Sequence, residues 1–208
     1  MDPIESLTRI FEKFPGIGPR QARRFVQYLL SERQSYRAEL ADTVKQLAAH
    51  TAQCKECFRW FVKRGEQGAQ TSLCNICSSS GRDRSTLFVV EKDAEIENIE
   101  RSGFRGLYFC LGGTIPLAAE ETPKYIRIKA LVKRIDEDGA KGALKEVILG
   151  LSATTEGDHT RLIIQEKILP MASGFNFKIS SLGRGLSTGS ELEYADPDTI
   201  ASALSSRN

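Results

Sequence analysis

Two short cysteine pairs constrain this chain more than any other feature. The segment reads CKEC at Cys54 and Cys57, sixteen intervening residues, then CNIC at Cys74 and Cys77. A Cys-x-x-Cys turn aims two sulfurs at one ion, and a second turn laid alongside completes a tetrahedral site. The spacing falls in the range that marks a structural zinc ribbon. Redox-active pairs, disulfides and simple buried thiols are the competing readings, and two pairs at ribbon spacing argue against each. Phe58, Trp60 and Phe61 lie between the pairs and can floor such a ribbon. Four protein ligands leave no open position, so zinc here would hold structure and perform no chemistry.

The chain has 208 residues, enough for one compact unit or two small ones. No apolar run is long enough for a membrane span. The opening MDPIESLTRI is acidic and amphipathic, unlike a signal peptide. With Cys110 the one cysteine outside the pairs, reduced thiols point to the cytoplasm. Charge is uneven: residues 1–84 carry a balance of +5 and the remainder −3. A nucleic-acid footprint is therefore expected early in the chain.

Residues 2–13 read as a helix capped by Asp2, with Pro3 in the first turn and Ile4, Leu7 and Phe11 on one face. PGIGP at 15–19 follows, and then a second helix. Gly16 and Gly18 permit a tight turn with bare amides, and Pro19 suits a helix start. Ala22, Phe25, Val26 and Leu29 share a face of that helix, opposite Arg20, Arg24 and Gln27, with Arg23 at the flank. This arrangement resembles the helix-hairpin-helix module, which holds a phosphate against unpaired amides at a helix N-terminus. The bland alternative is a turn with solvated arginines. A third helix near 35–50 places Leu40, Val44 and Leu47 in register to close a small helical unit, and His50 ends it as a non-ligand.

After the ribbon the pattern changes. Strand-like runs at TLFVVE, GLYFCL, EVILGL and FNFKIS alternate with helix-like stretches near 93–101, 124–136, 156–168 and 196–204. That predicts a parallel sheet covered by helices, an α/β architecture overall, with Asp93 and Asp196 as N-caps. Glu91 ends the first strand, and Glu156 and Asp158 follow the third. Acids at those strand ends resemble the topoisomerase-primase (Toprim) arrangement, whose catalytic members hold magnesium. The alternative is that Glu156 and Asp158 only favour a helix dipole. No G-x-x-x-x-G-K-[ST] cradle is present, so ATP hydrolysis is not expected. The tail, GRGLSTGSELEYAD, reads as an interface or packing loop.

Taken in order, FPGIGPRQARR, CKEC…CNIC with GRDRSTLFVVE, RGLYFCLGG, EVILGLSATTEGD and RGLSTGSELEYAD resemble the bacterial RecR family of recombination mediators over nearly the whole chain. The resemblance implies a helix-hairpin-helix DNA-binding domain over 1–52, a four-cysteine zinc finger over 53–80, a Toprim domain over 81–180, and a Walker-B-like C-terminal oligomerisation arm over 181–208. It implies a non-catalytic ring tetramer, a dimer of dimers, that encircles single- or double-stranded DNA without sequence specificity. It also implies joint action with RecO-like and RecF-like proteins to load RecA at single-strand gaps. By position, DNA binding falls on Gly16, Gly18, Arg20, Arg23 and Arg24, and partner binding or weak magnesium binding on Glu91, Glu156 and Asp158. A magnesium-dependent Toprim nuclease or primase is the alternative. The stretch TIPLAAEETPKYIRIK departs from the family pattern, and Ser187 and Ser190 replace its usual proline and glycine.

Overall fold

The computed structural model describes residues 2–63, 72–183, 185–186, 189 and 191–205. The tail positions Ser187 and Ser190 lie outside the described residues. The chain divides into two compact units, Met1–Thr51 and Ala52–Asn208.

The first unit is helical. Helix α1 (Pro3–Phe11) begins where the Asp2 carboxylate accepts the N–H of Ile4, with Pro3 in the first turn. The chain then turns through Gly16, whose φ of +75° is a left-handed conformation suited to glycine. Helix α2 (Pro19–Ser31) follows, burying Ala22 and Val26. Phe11 meets Phe14 and Phe25 edge to face, each with ring centroids 5.6 Å apart, which fixes the hairpin.

Helix α3 (Gln34–His50) differs from expectation. Its first turn is tied to the end of α2, since Arg37 donates to the carbonyls of Leu29 and Glu32 and Tyr36 packs on Tyr28. Leu40, Val44 and Leu47 share a face as predicted but are exposed, so they do not close the unit within one chain. A heptad-like stripe fixes which residues align, not whether a neighbour covers them.

In the second unit, β1 (Thr51–Gln53) and β2 (Trp60–Val62) form the two-stranded ribbon. Then come β3 (Thr86–Val90), α4 (Ile96–Arg101), β4 (Leu107–Cys110), α5 (Ile128–Ala140), β5 (Glu146–Gly150), α6 (Thr155–Phe175), β6 (Lys178–Ser181) and α7 (Pro197–Ser205). The four later strands make one parallel sheet in the order β4-β3-β5-β6. Central β3 registers Leu87 with Leu107 on one side and Val147 on the other. Near-continuous apolar runs in β3 and β4 are buried on both faces, as a helix-covered parallel sheet requires. Ile128, Leu131 and Ile135 of α5 and Ile164, Ile168 and Ala172 of α6 join that core.

Two boundaries and one cap differ from expectation. Helix α5 starts at Ile128 because Pro123–Ile126 forms a turn, closed by the Ile126 N–H on the Pro123 carbonyl. Helix α6 continues through Pro170, which removes one backbone donor, to Phe175, whose ring packs against Gly139 of α5. Asp93 caps nothing; its carboxylate instead accepts the Trp60 N–H of the ribbon. Asp196 does cap α7, accepting the Thr199 N–H at 2.9 Å. Among the described residues no helix is long and apolar enough to cross a membrane.

Candidate metal centre and nucleic-acid interface

The four cysteines sit on two matching turns. Phe58 N–H donates to the Cys54 carbonyl and Ser78 N–H to the Cys74 carbonyl, each at 3.0 Å, so each pair is curled by its own backbone. Phe58 adopts φ of 61°, which folds the first turn back toward β2. All four sulfurs are buried and lie within 4.8 Å of one another, with Cys57 and Cys74 Sγ at 3.6 Å. A tetrahedron with metal–sulfur bonds of about 2.3 Å has edges of about 3.8 Å, so the set fits a four-thiolate ion. The Cys74 N–H points at Cys54 Sγ at 3.4 Å, which favours a thiolate there. Crowding splits the sulfurs: hydrogen bonding from Cys57 pulls Cys54 below the ordinary thiol range, and Cys54 pushes Cys77 above it. A shared cation relieves that conflict by holding all four as thiolates. His50 is exposed at the end of α3 and takes no part.

The ribbon is fastened to the sheet. Cys110 N–H, on the edge strand β4, donates to the Cys57 carbonyl at 2.8 Å, and Phe58 packs edge to face on Phe109. The Arg127 guanidinium also lies over the Phe58 ring, 5.2 Å from its centroid. Arg134, on α5, is buried between Asp138 and Glu56, the latter inside the first cysteine turn. Burial opposes its charge, but the bond to Asp138 keeps its pKa raised. Sequence reasoning missed Asp93, Arg127 and Arg134. The one available signal was an arginine within the apolar stripe of α5.

The Toprim acids are placed at the sheet's carboxyl end, at the β3/β5 crevice where the strand order reverses. Glu91 is buried and its Oε1 accepts the N–H of Ser152, which latches the two strands together. Thr154 caps α6 through the Gly157 N–H, and a Cβ on Gly157 would stand 2.1 Å from the Ser152 carbonyl. Glu156 is exposed, 3.5 Å from the Thr114 hydroxyl, and Asp158 pairs with Arg161 at 3.1 Å. Among the described residues, the cysteines are the one set of three or more candidate ligands drawn within reach of a single ion. The three acids are neighbours in the fold without converging.

In the hairpin, Gly18 supplies no side-chain cap to α2 and Pro19 has no N–H. The following first-turn amides therefore face outward beside Arg20, Arg23 and Arg24. All three arginines are exposed and form no ion pair among the described residues. An uncapped helix start near exposed cations is chemically able to receive an anion.

Comparison with known proteins agrees with these parts in order. Residues 4–48 match the family described as RecR, helix-hairpin-helix; residues 85–182 match the Toprim domain; residues 185–208 match RecR, C-terminal. Recombination protein RecR of Rickettsia prowazekii is 36% identical over 205 residues, covering 98% of this chain and 95% of that protein. The RecR of Bdellovibrio bacteriovorus is 34% identical over 208 residues, covering 98% and 96%. That of Chlorobaculum tepidum is 34% identical over 206 residues, covering 99% and 96%. Similarity of this extent, with both RecR segments flanking a Toprim sheet and a buried four-cysteine cluster, means that the chain belongs to the RecR family of bacterial recombination proteins.

Proposed function

We propose that this chain is a non-catalytic DNA clamp of recombinational repair. Four copies close a ring, and Arg20, Arg23 and Arg24 of each face the enclosed strand, with the free first-turn amides of α2 beyond the Gly16–Gly18 turn, those of Arg20 and Gln21, receiving phosphate. Contacts of this type neutralise charge without reading bases, so single- and double-stranded DNA are both held. One hairpin reaches few phosphates; several in one assembly raise each other's effective concentration. Zinc is the ion whose four-thiolate preference suits Cys54, Cys57, Cys74 and Cys77, and its role is to hold the ribbon. The segments 1–52, 53–80, 81–180 and 181–208 then divide the work into DNA contact, metal-held joint, partner face and oligomer arm. Glu156 and Asp158 offer an acidic face to a RecO-like partner, Glu91 supporting the loop between them and β5. With a RecF-like protein, the assembly promotes RecA loading at gaps in the bacterial cytoplasm.

The observation that carries this reading is the hairpin itself, uncapped amides beside three exposed arginines. No specific observation favours magnesium-dependent nuclease or primase chemistry, because Glu91 is committed to Ser152 and Asp158 to Arg161. The test is the double variant Arg20→Glu, Arg24→Glu in a DNA-retention assay. Retention of duplex and single strands is expected to fall roughly tenfold or more at moderate salt, with metal content and oligomer size unchanged. Undiminished retention by a folded double variant would remove the clamp interior described here.

A further inference from the structure

The ribbon carries a feature that holding a metal does not require. Trp60 is the chain's one tryptophan, and it is 59% exposed on β2. Strand alternation turns Trp60 and Val62 outward while Phe61 packs toward the core. The backbone beneath the indole is anchored twice. The Trp60 N–H donates to Asp93, and the neighbouring Arg59 carbonyl accepts the Cys54 N–H at 2.9 Å. A large apolar ring on so fixed a support is a prepared contact surface.

Beside it opens a cavity of about 460 Å³ whose walls include Arg59, Trp60, Phe61, Val62, Asn75 and Ser78, with no carboxylate among the described residues that line it. The buried Arg59 Nε forms an ion pair with Asp93 Oδ1 at 3.7 Å, and the guanidinium makes no hydrogen bond among the described residues. Residues 51–63 hold three basic side chains against one acid. An exposed indole, an amide side chain, a partly exposed arginine held by Asp93 and a recess large enough for one base together match the chemistry of a strand-stacking platform. A protein partner of ordinary kind would want a broader apolar patch.

We propose that the ribbon binds one unstacked base of single-stranded DNA. The base stacks on Trp60, Asn75 meets its edge, and Arg59 faces the adjoining phosphate. A base inside a duplex is already stacked and cannot reach this site, so the ribbon selects single strands. The inference takes DNA as its ligand from the reading above and adds to it a preference for single strands that the hairpin arginines do not supply.

Trp60 is its own reporter. The metal-loaded full chain is titrated with oligothymidylate, with an abasic sugar-phosphate strand of equal length, and with duplex, following tryptophan emission. Oligothymidylate is expected to quench the emission, and the other two to bind without quenching. Trp60→Ala should weaken oligothymidylate binding about fivefold to a hundredfold and leave duplex binding unchanged, while Trp60→Phe restores most of it. Oligothymidylate binding without quenching, equal quenching by all three ligands, or a parallel loss of duplex affinity in Trp60→Ala overturns the proposal. Duplex binding by the parent chain in those cases leaves the clamp standing; failure to bind any DNA overturns both.

Discussion

The four cysteines and the three Toprim acids are both sets of potential ligands, and the fold treats them in opposite ways. Cys54 with Cys57, and Cys74 with Cys77, are each curled by a single turn of their own backbone, so only one tertiary contact is needed to unite them. Glu91, Glu156 and Asp158 come from two different strand ends, and every one has a protein group at hand: Ser152, Thr114 and Arg161. One set converges on a point and has conflicting protons. The other closes a crevice and braces a helix start. Ligand type and spacing are thus strong signals where the spacing is a turn and weak ones where it spans a sheet.

The largest expected effect follows from the first half of that contrast. Cys77→Ser should abolish stoichiometric metal, read by native mass measurement, and sharply lower the melting temperature. Structural zinc contributes apparent binding energies of about 10–16 kcal/mol near neutral pH, and two strands of three residues each make a ribbon too short to hold its own turns together. Acidification should release the ion as thiolates take up protons. Replacing Glu91, Glu156 and Asp158 together by Gln, Gln and Asn should leave metal content as it was. A Cys77→Ser chain with full metal would break the comparison.

A smaller effect sharpens it, because Arg134 joins the two regions. Its side chain is 8% exposed and lies between Asp138 of α5 and Glu56 of the first cysteine turn. Removing one member of a buried charged group leaves the others uncompensated, typically at a cost of about 3–5 kcal/mol. Arg134→Ala should therefore lower the unfolding free energy by that order, and Arg134→Met by clearly less. Circular dichroism across a urea series gives the difference. A loss below about 1 kcal/mol, the value of an exposed pair, would mean that ribbon and sheet stand independently.

Much of this was legible beforehand, for identifiable reasons. The cysteine turns, the PGIGP hairpin and the apolar runs of β3, β4 and β5 are local patterns, and local patterns survive folding. Asp93 was not legible in its real role. From sequence it is an N-cap, and only the placement of β2 beside it turns the carboxylate toward the Trp60 N–H. Helix α6 extends past Pro170 to bring Phe175 against Gly139, a close approach that no periodicity encodes. The stripe of Leu40, Val44 and Leu47 was seen correctly as a face, yet its exposure in one chain is a fact about neighbours. Glu91 and Ser152 are sixty-one residues apart, and their bond is a property of strand order alone.

The smallest effect tests whether the acidic crevice is a latch or an incipient cation site. Glu95 is half-buried and accepts the Glu91 N–H at 3.0 Å. Burial raises its pKa first of all; the N–H groups of Lys92 and Glu91 oppose the rise, and the Glu91 charge adds to it. The folded value therefore lies above the unfolded one. At neutral pH both states are ionised and the folded state bears the penalty, which fades as pH falls through the folded value and is gone below the unfolded value. Glu95→Gln keeps an acceptor oxygen for the Glu91 N–H and removes the charge. It should raise the denaturation midpoint slightly at neutral pH, with the gain shrinking toward zero as pH falls through the carboxylate range. The difference between variant and parent, measured at several pH values, carries the answer. If the variant is instead less stable at neutral pH and the deficit closes on acidification, the carboxylate is wanted in its charged form, and the crevice would join the cysteines as a place where a cation is held.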